Sequence, residues 1–454
     1  MKKLEHRAAL CLALAGLLLA GLVLFLGRYL LSGADWAAAP FNRHLYTSGG
    51  TLSRGTVLDR NGTVLSSVNE DGSRSYPDGK ALRRAILHAV GDPAGNISTG
   101  ALSAFGSKLS GYSLLGGSFS AGTGNQLSLT IDADYNLAAW NALNGRKGTV
   151  AVYNYKTGEV LCMVSSPSFD PRNIPDDLET NAKYEGAYLN RFLSSTFTPG
   201  SIFKLVTLNA ALEQLPDLSS RTWECSGSIT IDGETITCTK AHGTQNIQDA
   251  LANSCNVVFG QLAVELGGKT MEKYVKAAGL TRSWSADGIS TTAGSFDFSD
   301  CTDGNLAWAG VGQYHDAVNP CAMLVYLGAI ANGGKAPLPR LIHQLHRPGL
   351  PDLPRFSRHT GRLIKADTAQ ALTDMMANNV AVTYGTRRFP NMDLCAKSGT
   401  AEVGSDRKPH AWFVGFLRNP DYPYAFVVLV ENGGSGSAVA GDVASAVLKT
   451  MTGQ

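Results

Sequence analysis

Charge is scarce in this sequence. Asp, Glu, Lys and Arg make up 17% of the 454 residues, and they nearly cancel, leaving a formal net charge of +2. A chain so close to neutral has no global pull toward nucleic acid. No basic block stands out, and the Trp and Tyr residues are scattered without a nucleic-acid-binding pattern. Internal repeats and low-complexity tails are also missing, so neither a solenoid nor a disordered appendage is expected. What the chain does have is apolar bulk, 44% hydrophobic residues, enough for large cores in two or three domains. Function must therefore reside in local features.

One of these is the N-terminus. After the basic tail Met1-Lys2-Lys3-Leu4-Glu5-His6-Arg7, an uncharged apolar run extends from Ala8 to Gly27. At ~1.5 Å per residue such a helix matches the roughly 30 Å hydrocarbon core of a bilayer. Lys2, Lys3 and Arg7 favour a cytoplasmic tail, which sends the remainder outside. A cleaved signal peptide is the alternative, with sites at Ser32-Gly33-Ala34 or Ala37-Ala38-Ala39. The run is too long for that, and Pro40 directly follows the second site. We therefore expect a retained single-pass anchor at residues 8–27 and a small-residue linker over 28–45.

Residues 46–124 read as a small irregular module. It contains a hairpin around Asn61-Gly62, a helix from Ala81 to Val90, and a stretch rich in Gly and Ser. A second unit, 125–454, opens with a strand from Leu127 to Asp132 and a helix from Tyr135 to Leu143. A hairpin around Lys156-Thr157-Gly158 follows. Helical patterns fill its middle, including Ile247 to Leu266, Ala322 to Ala331 and Thr368 to Asn378. Strands return at Ala411 to Phe416 and Tyr424 to Val430, before a helix from Val443 to Met451. Strands at both ends enclosing a helical insertion predict an α+β domain whose antiparallel sheet draws on both ends of the unit.

The chemistry starts at Thr198-Pro199-Gly200-Ser201-Ile202-Phe203-Lys204. The Pro-Gly pair breaks the backbone, and the run from Ser201 to about Leu212 is apolar all round, so it belongs in a core. Ser201 and Lys204 lie one turn apart on one face. A serine hydroxyl needs a base, and a lysine buried on such a helix can be kept neutral enough to serve. Ser254-Cys255-Asn256 adds a hydroxyl for proton relay and an amide for positioning. Lys397-Ser398-Gly399-Thr400 reads as a strand entering a cleft, with Gly399 allowing a ligand close to the backbone. Spacing alone does not select these residues. Ser405/Lys408, Ser67-Val68-Asn69 and Lys156-Thr157-Gly158 repeat the same three patterns in loops and turns. Order and setting select them.

Taken in order, Ser-x-x-Lys, Ser-x-Asn and Lys-[Ser/Thr]-Gly are the signature of penicillin-binding proteins and serine β-lactamases. The chain resembles the class B penicillin-binding proteins, which are monofunctional transpeptidases, over nearly its whole length. Further matches include Arg54-Gly55 through Asp59-Arg60-Asn61-Gly62, Pro167-Ser168-Phe169-Asp170-Pro171, Gly312-Gln313, Asn332-Gly333-Gly334 and His410-Ala411-Trp412-Phe413-Val414-Gly415. Tyr314 stands where relatives usually carry Gly. The resemblance implies that Ser201 attacks the penultimate D-Ala carbonyl of a stem peptide ending D-Ala-D-Ala, with Lys204 as base. Ser254 would relay a proton to the leaving amine, and Asn256 would orient Lys204 and the substrate. Lys397 and Ser398 would bind the terminal carboxylate, and the N–H groups of Ser201 and Thr400 would form the oxyanion hole. An acceptor amine would then release the acyl-enzyme as a crosslink. β-Lactams would acylate the same serine. The implied partners are the membrane, a SEDS-family glycan polymerase and other wall-synthesis proteins. No cofactor and no metal is expected.

A β-lactamase must deacylate with water; the class A enzymes do so with a Glu in a Glu-x-x-Leu-Asn loop between the second and third motifs, and here neither Glu265 nor Glu272 begins one. A D,D-carboxypeptidase and a non-catalytic scaffold are the remaining alternatives, the second opposed by the complete set of reactive residues. Seven cysteines lie beyond the anchor, an odd number. Cys225 and Cys238 flank a run that alternates around Asp232-Gly233, so a hairpin would bring them together, either as a disulfide or as two buried thiols. Cys255 reads as packing. His343 and His346 read as a solvent-facing helical pair.

Overall fold

A computed structural model describes residues 2–38, 55–69, 73–110, 112–113, 117–118, 124–298, 301–348, 351–352, 355–389, 392–404 and 406–454. Residues 39–45 of the expected linker, Arg54 and Ser405 lie outside the described residues. The N-terminal helix α1 runs Lys2–Ala38, so it continues through residues 28–38, where a linker was expected. Leu12, Leu17, Leu18, Leu22 and Leu24 are exposed along it. Its segment Lys2–Gly33 is long and apolar enough to cross a membrane.

The larger unit is built on a five-stranded sheet. Its strands are β1 (Gly148–Asn154), β2 (Val160–Ser166), β3 (Leu394–Ala401), β4 (His410–Leu417) and β5 (Tyr424–Val430). Their order is β3-β4-β5-β1-β2, antiparallel throughout, so the strands come from both ends of the unit as expected. Runs such as Val150-Ala151-Val152 and Phe426-Val427-Val428-Leu429 are apolar on consecutive residues. That pattern suits a sheet covered on both faces. Helix Pro320–Ala331 covers one face, and helices Ala133–Leu143 and Gly441–Thr452 cover the other.

A second five-stranded sheet crosses the boundary expected near residue 124. Strand Thr56–Leu58 pairs antiparallel with Val64–Val68, across the expected Asn-Gly hairpin, and parallel with Gln126–Leu129. Gln126–Leu129 in turn pairs with Ile342–His346. His343 and His346 therefore sit on a strand and not on a helix, and their ring nitrogens face Glu159 and Asp352. The five-residue segment is too short for periodicity to distinguish the two forms. The module and the larger unit are further joined by Arg83. Its guanidinium makes a buried bidentate pair with Asp170 at 2.6 and 2.7 Å.

Candidate active site

The turn that carries Ser201 is fixed by backbone contacts that only glycine permits. Gly200 has φ +55°, and a Cβ there would lie 2.7 Å from the Thr400 carbonyl oxygen and 3.0 Å from Ala401. Gly312 has φ +85°, and its Cβ would lie 2.1 Å from the Gly200 carbonyl oxygen. The chain from Pro199 is thus clamped between β3 and the Gly312 loop, with Gly200 N–H donating to the Gly312 carbonyl at 2.8 Å. A short 3₁₀ turn, Gly200–Ile202, carries Ser201 and leads into α2 (Lys204–Gln214). Eight of the eleven residues of α2 are buried, as its apolar composition dictates.

Lys204 is fully buried, and its Nζ is the centre of the site. It lies 3.1 Å from Ser201 Oγ, 3.3 Å from Ser254 Oγ, 2.6 Å from Asn256 Oδ1 and 2.6 Å from the Ser254 carbonyl. Among the described residues none of its hydrogen-bond partners is a carboxylate. Burial outweighs the opposing pull of the nearby Cys255 and Cys238 thiols and lowers its pKa to about 7. A lysine that is half unprotonated near neutrality can accept a proton from Ser201.

Ser254 reaches the cleft because the helical stretch is interrupted there. The sequence pattern predicts one helix over Ile247 to Leu266. The structure has two, α3 (Ile247–Ala252) and α4 (Asn256–Leu266), with Ser254 between them at φ +55°. Asn253 and Ser254 compete with helix by side-chain hydrogen bonding, which is the local reason for a break. Asn256, at the first turn of α4, donates from Nδ2 to the Thr237 carbonyl at 2.6 Å, which leaves its Oδ1 for Lys204.

The third wall is β3, an edge strand of the main sheet. Lys397 is fully buried and donates to Ser254 Oγ at 2.9 Å and to the Ser398 carbonyl at 2.9 Å. Burial, and then the neighbouring Lys204, push its pKa well down. Ser398 is partly exposed and Thr400 exposed, so both can meet a ligand laid along the strand. The structure therefore brings Ser201, Lys204, Ser254, Asn256 and Lys397 into one connected hydrogen-bond network, with Ser398, Gly399 and Thr400 beside it. The look-alike motifs lie elsewhere. Ser67 is in the second sheet, and Lys156 sits in the β1–β2 turn bonded to Asn332.

Several residues that hold this site carry no sequence signal. Tyr384 ends a single π-helical turn, Val380–Tyr384. It donates to Ser398 Oγ at 3.0 Å and accepts from the Ser398 N–H at 2.8 Å. Asn379 bonds the Ala396 carbonyl, and Thr383 bonds the Ala252 carbonyl. Trp412, already prominent in the sequence, donates from its indole to the Thr198 carbonyl at 3.0 Å. Cys225 and Cys238 are brought together by the expected hairpin, Ser228–Ile231 with Glu234–Thr237. Their sulfurs are 3.8 Å apart and unbonded.

A serine beside a buried lysine, facing a second buried lysine across a shared hydroxyl at a sheet edge, defines a serine acyl-transfer centre. The penicillin-binding protein transpeptidase domain model matches residues 148–449, and the chain belongs to that family. It is 29% identical over 366 residues to the peptidoglycan D,D-transpeptidase PbpA of Mycolicibacterium smegmatis, covering 72% of each chain. Among solved structures it is similar to penicillin-binding protein A of Mycobacterium tuberculosis in its ceftriaxone acyl-enzyme complex. That match has a TM-score of 0.78 and 25% identity, and covers 87% of this chain and 97% of the other. The penicillin G acyl-enzyme complex of the same protein matches with TM-score 0.77, 26% identity, and coverage of 88% and 99%.

Proposed function

We propose that the chain is a membrane-anchored peptidoglycan D,D-transpeptidase acting through Ser201. The observation that carries this reading is the convergence of Ser201, Ser254 and Asn256 on the single buried amine of Lys204. In acylation, Ser201 Oγ forms a bond to the penultimate D-Ala carbonyl while its proton passes to Lys204. The oxyanion is received by the N–H groups of Ser201 and Thr400. The C–N bond to the terminal D-Ala breaks as the proton held by Lys204 passes through the Ser254 hydroxyl to the leaving amine. An acceptor amine then attacks the ester, and Ser201 recovers its proton as the new amide forms.

Lys397 is buried against Ser254, so its role is divided. It orients the relay hydroxyl, while Ser398 and Thr400 offer hydroxyls to the substrate carboxylate. The stem peptide adds along the free edge of β3. β-Lactams acylate the same serine. In this reading Lys2, Lys3 and Arg7 hold the N-terminus in the cytoplasm and the catalytic unit lies outside. The exposed apolar surface of α1 and the adjoining module then face a SEDS-family glycan polymerase.

Fluorescent penicillin and intact-mass analysis test the assignment. Full-length chain should gain one drug mass per molecule, and Ser201→Ala should gain none. Labelling that survives in a folded Ser201→Ala chain would overturn it.

A further inference from the structure

Behind the Ser254 wall lies a cluster of donor groups that the acyl-transfer chemistry does not use. We propose that Cys225, Cys238, His242 and Cys255 form a tetrahedral zinc site. Their ligand atoms all lie within 4.8 Å of one another. Cys238 Sγ is 3.8 Å from Cys225 Sγ and 3.7 Å from Cys255 Sγ, and His242 Nδ1 is 3.4 Å from Cys225 Sγ. With Zn–S near 2.3 Å and Zn–N near 2.0–2.1 Å, a tetrahedron needs sulfur–sulfur edges of about 3.8 Å and sulfur–nitrogen edges of about 3.6 Å. Those three separations match these edges to within about 0.2 Å, and the remaining pairs lie within 4.8 Å.

The backbone around the cluster is built to hold these groups. Strand Trp223–Cys225 pairs with Gly243–Gln245. His242 N–H donates to the Cys225 carbonyl at 3.0 Å, and Cys238 N–H to the Gly227 carbonyl at 2.8 Å. Cys225 and Cys255 are fully buried. Cys238 Sγ accepts two backbone N–H groups at the start of α4, from Asn256 at 3.2 Å and Val257 at 3.5 Å. Such contacts favour a thiolate. Plain packing of small apolar thiols explains neither these donors nor an imidazole nitrogen turned toward sulfur. A disulfide accounts for less of the arrangement. Cys238 is almost equally distant from two partners, and bonding either one strands the other.

Three thiolates and an imidazole suit zinc and disfavour the hard oxygen-seeking cations. Binding would release three thiol protons to solvent and leave a complex of net charge −1. The pattern Cys-x12-Cys-x3-His-x12-Cys is visible in the sequence, although Cys255 reads there as packing and no metal is expected. Because Cys255 lies between Ser254 and Asn256, the ion would act as a positioning element. It would tie the 226–242 hairpin, including the Thr237 carbonyl that holds Asn256, to the turn that presents Ser254.

This inference does not depend on the transpeptidase reading, since metal content is measured without activity. Full-length chain purified in detergent with reductant and without chelator should contain one zinc per molecule by elemental mass spectrometry. Cys225→Ser and His242→Ala should fall to background, while Cys321→Ser, a buried cysteine outside the cluster, should keep its zinc. Should the ligand variants misfold, replacement by cobalt in the wild-type chain decides the matter. A tetrahedral spectrum with thiolate-to-cobalt charge transfer supports the site. A reduced, cooperatively folding wild type that takes up neither zinc nor cobalt stoichiometrically overturns it. So does recovery of Cys238 in a disulfide from chain isolated without reductant.

Discussion

If Lys204 is the acylation base, the reaction with penicillin must follow the titration of that one amine. Burial lowers it from 10.5 to about 7, a difference worth about 5 kcal/mol of disfavoured charge. At pH 7 about half of the chains then carry a free amine, against roughly 1 in 3,000 for an ordinary lysine. Between pH 7 and pH 5 the free-amine fraction falls about 50-fold, and between pH 7 and pH 9 it rises only about twofold. The second-order rate of acylation at limiting penicillin should trace that curve. It should be steep on the acid side and flat above pH 8, when measured by stopped reaction and intact mass. The sign follows from the role, because the base works only when deprotonated. Lys204→Met should lower the rate by about 10²–10⁴ at pH 7, the usual contribution of a general base, and should abolish the acid limb. A rate unchanged from pH 5 to 7, or one still climbing tenfold per unit at pH 9, would refute Lys204 as a depressed-pKa base.

Three further outcomes follow from the geometry. Ser254→Ala removes the hydroxyl shared by both lysines and should slow acylation by at least tenfold with little change in melting temperature, as read by penicillin labelling beside calorimetry. Arg83→Met leaves Asp170 buried without its bidentate partner and should destabilise the folded unit by about 3–5 kcal/mol in denaturant titration, whereas the double change with Asp170→Leu should recover much of that loss. Gly312→Ala forces a Cβ against the Gly200 carbonyl, so labelling at Ser201 should drop even where the far-ultraviolet circular dichroism is unchanged.

Much of this was readable from residue types. The apolar sequence around Ser201 and Lys204 required a buried helix, and burial is what depresses the lysine. The order of strands required a sheet drawn from both ends of the unit. Other features were not readable, for identifiable reasons. The helical pattern continues across Asn253–Cys255, so a single helix over Ile247 to Leu266 satisfies periodicity. Only the φ of Ser254 reveals the break that aims its hydroxyl. Tyr384, Asn379 and Thr383 act through contacts with residues on β3 and α3, which local pattern cannot anticipate. The sheet joining Thr56–Leu58 to Gln126–Leu129 hides in short strands, and a composition shift near residue 124 reads as a boundary when backbone hydrogen bonds cross it.

The way the main sheet is assembled bears on how the protein is made. β1 lies between β2 and β5, and Ala151 is paired with Val427. During synthesis the apolar hairpin of β1 and β2 is complete long before its third neighbour exists. All the residues from α2 to β3 must emerge while that edge stays open. Closing so distant a pairing is slow, and an unpaired apolar edge invites association with other chains. The strand order therefore predicts that the cleft matures late in folding. If Ser201 is the nucleophile, it would react only once the C-terminal strands have docked, so a chain truncated before Tyr424 should carry an intact Ser-x-x-Lys motif and yet bind no penicillin.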